Sequence, residues 1–362
     1  SFRDAVSKPN RIIVFDVGGV IQINSRIAVS PNITIAGQTA PGDGITIYGN
    51  GLSFSKADNS IVRYLRIRMG INADKQDAVG IAEGSNMIFD HLSVSWGRDE
   101  TFSVSGDVSD VTIQNCIISE GLHSHSAGGL IQTTGGISLL RNLYINNHTR
   151  NPKVKGKNQY VNNVIYNWRV AGYILGGSES QSYANVQNNY FIDGPQTSSQ
   201  PFSRGNTNFH LFAALNYHDS NKNGKLDGED IPKEKYTVVD WMAAPHDYPK
   251  VTMMEPQQAF NYVAANAGAS LRRDEVDTRL VNALKSLGKE GKIISNEQEN
   301  PEKGPGTIRG GSSKKDADGD GMPDDWEKKN KLNPAKPDAN GDVNQNGYTN
   351  IEDYINSLAV KK

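Results

Sequence analysis

Cysteine is nearly absent from this chain of 362 residues, and long apolar runs are missing. With Cys116 as its one cysteine, the chain can form no intramolecular disulfide, and no Cys/His set suggests a zinc site. No stretch approaches the ~18 apolar residues that a membrane-spanning helix needs. A formal net charge of -2 argues against a protein that binds nucleic acid through an excess of positive charge.

Helical periodicity is also scarce over the first two thirds of the chain, where short β-branched runs and turns recur instead. Six similar eight-residue segments, such as "TIQNCIIS" and "LLRNLYIN", have their fourth residues spaced 27, 24, 27, 21 and 26 positions apart. Self-similarity at such a period indicates a solenoid, and short strands joined by polar turns favour a parallel β-helix. A two-sheet sandwich would instead place strands every ~8–12 residues without the longer period. The fourth residues of the six segments are Tyr64, His91, Asn115, Asn142, Asn163 and Asn189.

The sequence pattern changes toward the C-terminus. Residues 255–269 and 277–291 have the amphipathic pattern of helices, which we expect to pack on the solenoid. Residues 296–315 are rich in Pro, Gly, Ser and charge, a composition typical of a linker. We therefore predict a β-helix domain over 1–295, this linker, and a small acidic module over 316–362.

Three segments have the spacing of a twelve-residue calcium loop, in which short oxygen-bearing side chains alternate around a glycine. One is an insertion in the β-helix domain (219–230), and two lie in the acidic module (316–327 and 342–353). The module resembles thrombospondin type 3 and dockerin-like calcium repeats, which implies a module held together by Ca²⁺. The predicted ligands are Asp219, Asn221, Asn223, Asp227 and Asp230; Asp316, Asp318, Asp320, Met322 through its carbonyl, Asp324 and Glu327; and Asp342, Asn344, Asn346, Tyr348, Asn350 and Asp353.

A cationic cluster directly follows one of the repeated strand segments, in "NNHTRNPKVKG". Alternate residues of a strand point the same way, so the cations are expected to form a ridge on one outer face. Successive coils lie ~4.8 Å apart, so acids such as Asp77 and Asp99 from earlier coils are expected beside this ridge. A calcium ion flanked by Arg and Lys suits a polyanion that carries a carboxylate on each repeating unit.

Roughly residues 1–295 resemble the polysaccharide lyase family 1 pectate lyases. The resemblance is carried by "ITIAGQTAPGDGITIYG", "NMIFDHLSVSWGRDETF", "ISEGLHSHSAGGLIQ" and "HTRNPKVKG". It implies a right-handed parallel β-helix with Arg150 at the position of the catalytic arginine. It also implies substrate binding by Lys155, Lys153 and His123.

The same resemblance implies that Asp77 and Asp99 are ligands of a catalytic calcium ion. Two further acidic ligands of the family correspond here to Lys75 and Ser103, which departs from the family pattern. The residues expected to compensate are Glu100 or Asp74.

The activity implied is cleavage of polygalacturonate or pectin by calcium-assisted β-elimination, which gives 4,5-unsaturated oligogalacturonides. Alternatives are a pectin lyase that acts on methyl-esterified chains, a hydrolase that uses paired carboxylates, and a calcium-dependent polysaccharide-binding protein without catalysis.

We expect a monomer without nucleic-acid partners, in which residues 316–362 are a candidate surface for docking to another protein. The chain begins with Ser1, as expected after removal of a targeting segment, and calcium loops with a polymeric substrate favour a secreted, periplasmic or bacterial cell-surface location.

Overall fold

Short strands dominate the computed structural model, which describes residues 1–123 and 125–359. Its strands are β1 (Arg11–Ile13), β2 (Gly19–Gln22), β3 (Ile27–Ala28), β4 (Ile33–Ala36), β5 (Ile45–Tyr48), β6 (Leu52–Ser53), β7 (Ser60–Arg63), β8 (Arg66–Arg68), β9 (Val79–Asp90), β10 (Ser93–Ser95), β11 (Phe102–Gln114), β12 (Ile117–Ser119), β13 (Leu130–Leu140), β14 (Leu143–Ile145), β15 (Lys153–Val161), β16 (Val164–Tyr166), β17 (Tyr173–Leu175), β18 (Ser182–Gln187), β19 (Tyr190–Ile192), β20 (Phe202–Ser203), β21 (Phe209–Ala214), β22 (Tyr217–Asp219), β23 (Glu229–Asp230) and β24 (Asp240–Trp241). Its helices are α1 (Phe2–Ala5), α2 (Pro256–Asn266), α3 (Glu275–Lys285), α4 (Asp324–Lys329) and α5 (Asn350–Ala359), with 3₁₀ turns at Gly37–Thr39, Lys233–Lys235 and Glu297–Glu299.

The strands wind into a parallel β-helix of about nine turns, as predicted. The long strands β9, β11, β13 and β15 each turn a corner, because the start of β9 pairs with β6 while its end pairs with β7. Each coil therefore has three faces. Face 1 contains β3, β6, β17, β20 and the first residues of the four long strands; face 2 contains their last residues with β1, β4, β7, β18, β21 and β24; face 3 is the ten-stranded sheet from β2 to β23.

Stacked asparagines form a ladder inside one turn of the coil. The amide of Asn142 donates to the side-chain oxygen of Asn163 at 3.1 Å, and Asn163 donates to Asn189 at 3.1 Å. Asn189 continues the ladder to Asn216 at 2.8 Å. All four side chains are buried, so each amide satisfies polar groups that water cannot reach. Hydrogen bonds between the stacked amides therefore link four successive coils.

The repeat alignment is nevertheless wrong by one residue at its fourth segment. Ile117 pairs with Leu143 across face 3. Asn142 is therefore level with Cys116, not with Asn115. The left-handed conformation of the turn falls on the residue before each ladder asparagine. Those left-handed residues are Arg141, Asn162, Asn188 and Leu215.

Two helices cover face 3 in the regions where the sequence predicted them. α2 and α3 bury Phe260, Val263, Leu280 and Leu284 in one cluster with aromatic residues of face 3. Both observed helices are shorter than the predicted segments. α2 ends at Asn266 because the chain turns through a left-handed glycine two residues later. No helix in the described ranges has the length and apolar character needed to cross a bilayer.

The segment 296–315 lies along the β-helix. The hydroxyl of Tyr48 donates to the Glu297 carboxylate at 2.9 Å, and Arg309 pairs with Asp43 at 2.9 Å. The composition that predicted a linker thus belongs to a segment held at several points on the coils. The proposed boundaries of the linker and of the acidic module stay predictions.

Candidate active site

The cationic cluster and the acids of earlier coils meet where the chain enters face 1. Glu100 stands just before β11 and Arg150 just before β15, and Ala127 bridges the backbone between their coils. The guanidinium of Arg150 spans this distance and pairs directly with the Glu100 carboxylate. The Arg150 side chain is 25% exposed while Glu100 is buried, so the pair opens to solvent on the arginine side. The expected stacking of cation and acid across coils is present.

Lys153 and Lys155 continue this cationic surface along β15. Val154 between them is buried in the core, so both lysines point outward from face 1, as the alternation predicted. Burial lowers the pKa of Lys153, and the positive charges of Lys155 and Arg150 lower it further. The three cations therefore lie close enough to influence one another's charge.

The predicted acids lie against the Arg150–Glu100 pair. Asp77 accepts the backbone N–H of Glu100 at 3.0 Å, and Asp99 contacts the His125 ring at 3.2 Å. Burial raises the pKa of Asp77 to about 7, and the charges of Glu100 and Asp99 add to this increase. Three carboxylates that repel one another provide the hard oxygen donors that Ca²⁺ prefers, and a cation would relieve their repulsion. The donor set therefore fits calcium.

His125 belongs to this group, although the sequence assigned the substrate role to His123. The ligand atoms of Asp99, Glu100 and His125 all lie within 4.8 Å of one another. The His123 ring instead stacks on His148, with centroids 5.0 Å apart. His123 and His125 are two positions apart in one turn, so the sequence alone could not show which of them faces the acids.

The residues that depart from the family pattern do not extend the acidic set. Lys75 is exposed on the turn that carries Asp77. The pKa of His125 is lowered mainly by burial and by the charge of Arg150, and the charge of Lys75 lowers it a little further. The Ser103 hydroxyl donates to the carbonyl of Leu130 at 3.2 Å. Asp74, one of the two expected substitutes, is exposed. Glu100, the other, is the acid that faces Arg150.

A cavity of about 410 Å³ extends the cationic surface past Lys155. Lys157 and Tyr183 face each other across neighbouring strands at its edge. The Tyr183 ring is 36% exposed and stacks on His210, with centroids 4.7 Å apart. This aromatic surface could not be predicted from the sequence, because Tyr183 and His210 come from separate coils and share no motif.

The acidic loop 316–327 brings most of its predicted ligands together. The ligand atoms of Asp316, Asp318 and Asp320 lie within 4.8 Å of one another. Glu327 is fully buried, and both of its carboxylate oxygens lack a hydrogen-bond partner in the described chain. Burial, with the neighbouring carboxylates, raises the pKa of Glu327 to about 7.

Two other predicted ligands of this loop have different surroundings. The Asp324 carboxylate pairs with Lys315 at 2.7 Å and accepts the backbone N–H of Ala317 at 2.8 Å. Its oxygens are therefore engaged outside the cluster. The Met322 side chain is buried toward the β-helix, which leaves its backbone carbonyl as the group offered to the loop.

In the loop 219–230 the amides and acids bond to one another. Asn221 and Asn223 donate to the two oxygens of Asp227, each at 2.8 Å. The buried Asp219 accepts the backbone N–H of Asp227 at 3.4 Å. Asp230 lies in β23, and its carboxylate is bonded to the backbone of Ile231 and Asn216. The structure brings the first four predicted ligands together and not the fifth.

The loop 342–353 is built in the same way. Asn344 and Asn346 donate to the two oxygens of Asp353 at 2.8 and 3.0 Å. Asp342 accepts the backbone N–H groups of Asn346 and Gly347 at 3.1 and 3.0 Å. The other two predicted ligands are the exposed Tyr348 and the buried Asn350 near the start of α5.

Comparison with known proteins places this chain in a family. A probable pectate lyase C of Aspergillus flavus is 56% identical over 363 residues, which cover 99% of this chain and 86% of the relative. A probable pectate lyase C of Aspergillus fumigatus is 55% identical with the same coverage. The solved structure of the thermostable pectate lyase PL 47 shares the fold with a TM-score of 0.52 at 16% identity, over 69% of this chain and 70% of the other. No family model matches the chain.

Relatives at this identity and coverage show that the protein is a polysaccharide lyase, and the parallel β-helix agrees with that class. The relatives make this more specific. The chain belongs to the pectate lyases.

Proposed function

We propose that the protein is a family 1 pectate lyase that cleaves polygalacturonate by calcium-assisted β-elimination, with Arg150 as the base. The observation that carries the proposal is the position of Arg150, paired with Glu100 beside Asp77 and Asp99 and next to outward-pointing lysines. A purely structural ion pair would have no need of outward-pointing lysines on the same outer face. This arrangement suits a chain of carboxylates, which a neutral polysaccharide does not provide.

The elimination requires a base at one atom and charge stabilisation at another. The proton on C5 of galacturonate is α to the carboxylate, so its removal places negative charge on that carboxylate. In its neutral form Arg150 takes this proton, the electron pair forms a C4=C5 double bond, and the C4–O glycosidic bond breaks as the leaving oxygen takes up a proton from water. Lys153 and Lys155 hold the substrate carboxylates and stabilise the charge that develops.

Asp77, Asp99 and Glu100 are the residues that would hold calcium in this proposal. When bound, calcium draws charge from the substrate carboxylate and makes the C5 proton easier to remove. Because Glu100 also pairs with Arg150, it links the metal-binding acids to the proposed base. His125, against Asp99, is positioned to orient that carboxylate.

The test is the ultraviolet absorbance of the unsaturated product on polygalacturonate, with and without added calcium. We expect absorbance that grows with calcium and is lost with a chelator. A guanidinium gives up its proton only under alkaline conditions in water, so we also expect the rate to rise with pH above neutrality. Reducing ends without absorbance would indicate a hydrolase, unchanged chain length would indicate a binding protein, and faster, chelator-resistant cleavage of methyl-esterified chains would indicate a pectin lyase.

Tyr183 gives a second prediction for this reaction. If its exposed ring contacts a sugar of the bound chain, Tyr183→Ala should raise KM by about fivefold, or about 1 kcal/mol, with little change in kcat. The measurement is steady-state kinetics on polygalacturonate. Tyr183→Phe keeps the ring and is the matched control, expected to behave as the unsubstituted protein. An unchanged KM in the alanine variant would remove Tyr183 from the substrate path.

The three twelve-residue loops are proposed as further Ca²⁺ sites, and the tail as a calcium-binding module. Their support is the spacing of oxygen ligands and the buried carboxylate of Glu327, which has no hydrogen-bond partner among the described residues.

We also propose that the protein is secreted, since its substrate is a polymer. The relatives are fungal, so the expected bacterial periplasmic or surface location has no support from them.

A further inference from the structure

We infer that the loop 316–327 and Asp338, which lies outside that loop, form one Ca²⁺ site that fastens the C-terminal module to the first coils of the β-helix. The inference rests on the proposed calcium binding by this loop and is independent of the lyase chemistry. It assigns to Asp338 a ligand role that the twelve-residue pattern does not contain. It also assigns to the metal a structural effect on the β-helix.

Two groups of carboxylates share one member. Asp316, Asp318 and Asp320 have ligand atoms within 4.8 Å of one another, and Asp320, Glu327 and Asp338 form a second set with the same limit. Asp320 therefore joins the two sets into one cluster of five acids. Calcium takes six to eight oxygens, which these carboxylates and the Met322 carbonyl can supply.

The hydrogen bonds that these acids lack point to a cation. Glu327 has 0% exposure, and neither of its oxygens has a hydrogen-bond partner in the described residues. One oxygen of Asp318 and one of Asp338 are likewise buried and unpartnered there. A buried carboxylate without a partner is strongly destabilising, and several at one point are more so. These oxygens are satisfied if they face a common divalent ion.

Asp338 is held in place by the loop itself. The backbone N–H groups of Asp338 and Ala339 donate to one oxygen of Asp320 at 3.0 and 2.9 Å. The chain after α4 is thereby folded back onto the loop. A metal ligand at Asp338 closes this fold, because it fixes the segment between the two acidic loops to the first of them.

The same loop also carries the contact with the β-helix. Met322 is fully buried in a cluster with Ala36, the last residue of β4, and with Ile351 and Tyr354 of α5. Gly321 lies so close to Val14 that an added Cβ would approach its side chain to 3.1 Å. Ordering the loop around an ion therefore orders the surface that packs on β4.

Additional contacts bring α5 into the same interface. Arg63 at the end of β7 donates to the side chain of Asn356 at 3.0 Å. Trp326 of α4 donates to Ser357 at 3.2 Å and packs on Tyr354 with ring centroids 5.4 Å apart. α4, which carries Glu327, is thus connected through α5 to face 2. Calcium bound at Glu327 stabilises this interface as any ligand specific to the folded state does.

The test compares Glu327→Gln and Asp338→Asn in the full chain, with Asp325→Asn as the matched control on the exposed side of α4. Each protein is stripped with a chelator, titrated with CaCl₂ by calorimetry, and melted with and without the metal. We expect both variants to melt at or above the unsubstituted protein when metal-free, because Glu327→Gln removes a buried negative charge and Asp338→Asn a half-buried one from a crowded set of carboxylates. Saturating calcium should raise the melting temperature of the unsubstituted protein, and we expect both variants to lose most of that increase. We also expect them to bind calcium at this site at least about tenfold more weakly. The control should match the unsubstituted protein in both states.

Hydrogen exchange on the same samples tests the fastening. Calcium should increase amide protection of 33–39 and of α5 in the unsubstituted protein and not in the two variants. Equal loss of stability with and without metal would reduce both acids to structural residues, and an unchanged calcium response in Asp338→Asn would restrict the site to the twelve-residue loop. Absorbance release on polygalacturonate, measured in parallel, separates this inference from the proposed function, since either can fail alone.

Discussion

Replacing Arg150 with alanine is expected to lower kcat on polygalacturonate by ~10²–10⁴-fold, the range typical of a removed general base. The guanidinium is the group that faces Glu100 from the solvent side, beside the lysines that would hold the substrate. KM should change less, because Lys153 and Lys155 remain. The measurement is the initial rate of ultraviolet absorbance at saturating calcium.

A lysine at the same position distinguishes the base from a counter-ion. Arg150→Lys keeps a positive charge against Glu100, so a mainly electrostatic role would be largely rescued, whereas a proton-accepting role would not. Arg169→Ala is the matched control, since Arg169 is an exposed arginine whose backbone bonds to His148 near the same turn. Near-full activity in both Arg150 variants would end the proposal that Arg150 is the base.

The coil architecture could be predicted from the sequence because a solenoid repeats its inward pattern at every turn. Its register could not be predicted throughout. An offset of one residue in a turn leaves the apolar pattern of the flanking strands unchanged. Asn115 and Asn142 were therefore aligned because both are asparagines, although the strand pairing places Asn142 level with Cys116. Strand pairing decides this register, and a single sequence contains no direct signal of it.

The candidate site shows the same division between local and tertiary information. Asp77, Asp99 and Arg150 could be placed together because each shortly precedes a strand of face 1, in the coils of β9, β11 and β15. The proposed roles of Tyr183 and Asp338 could not be predicted. Tyr183 is singled out by its contact with His210 from another coil, and Asp338 by its position beside Asp320 and Glu327 although it lies outside the twelve-residue pattern. Composition likewise predicted a linker at 296–315 but contains no signal of contacts such as the Arg309–Asp43 pair, which join this segment to the coils.

The largest expected effect on stability is at the interface between α3 and face 3, where Asp277→Ala should lower the free energy of unfolding by ~3–5 kcal/mol. Asp277 is fully buried, pairs with Arg68 at 3.1 Å, and accepts a hydrogen bond from Ser93 at 2.6 Å. Burial acts to raise the pKa of Asp277, but the charges of Arg68 and Arg66 outweigh it and lower the pKa. The carboxylate therefore stays ionised, and its contribution to stability is lost only as the pH falls below the ordinary aspartate range. Chemical denaturation followed by circular dichroism measures the effect.

The cause of that loss can be separated from the strength of the ion pair. Alanine at 277 leaves Arg68, which is itself fully buried, with Asp274 as its remaining acidic partner at 2.8 Å. Ser93→Ala removes the hydrogen bond to Asp277 and the bond that the Ala269 backbone N–H donates to the Ser93 hydroxyl at 3.1 Å, and it should cost about 1–2 kcal/mol, below Asp277→Ala. The double variant Arg68→Met/Asp277→Leu removes both charges and should recover much of the stability, because most of the penalty in Asp277→Ala comes from the unbalanced positive charge. A double variant as unstable as Asp277→Ala would instead mean that the ion pair itself, through its fixed geometry, holds α3 on the β-helix.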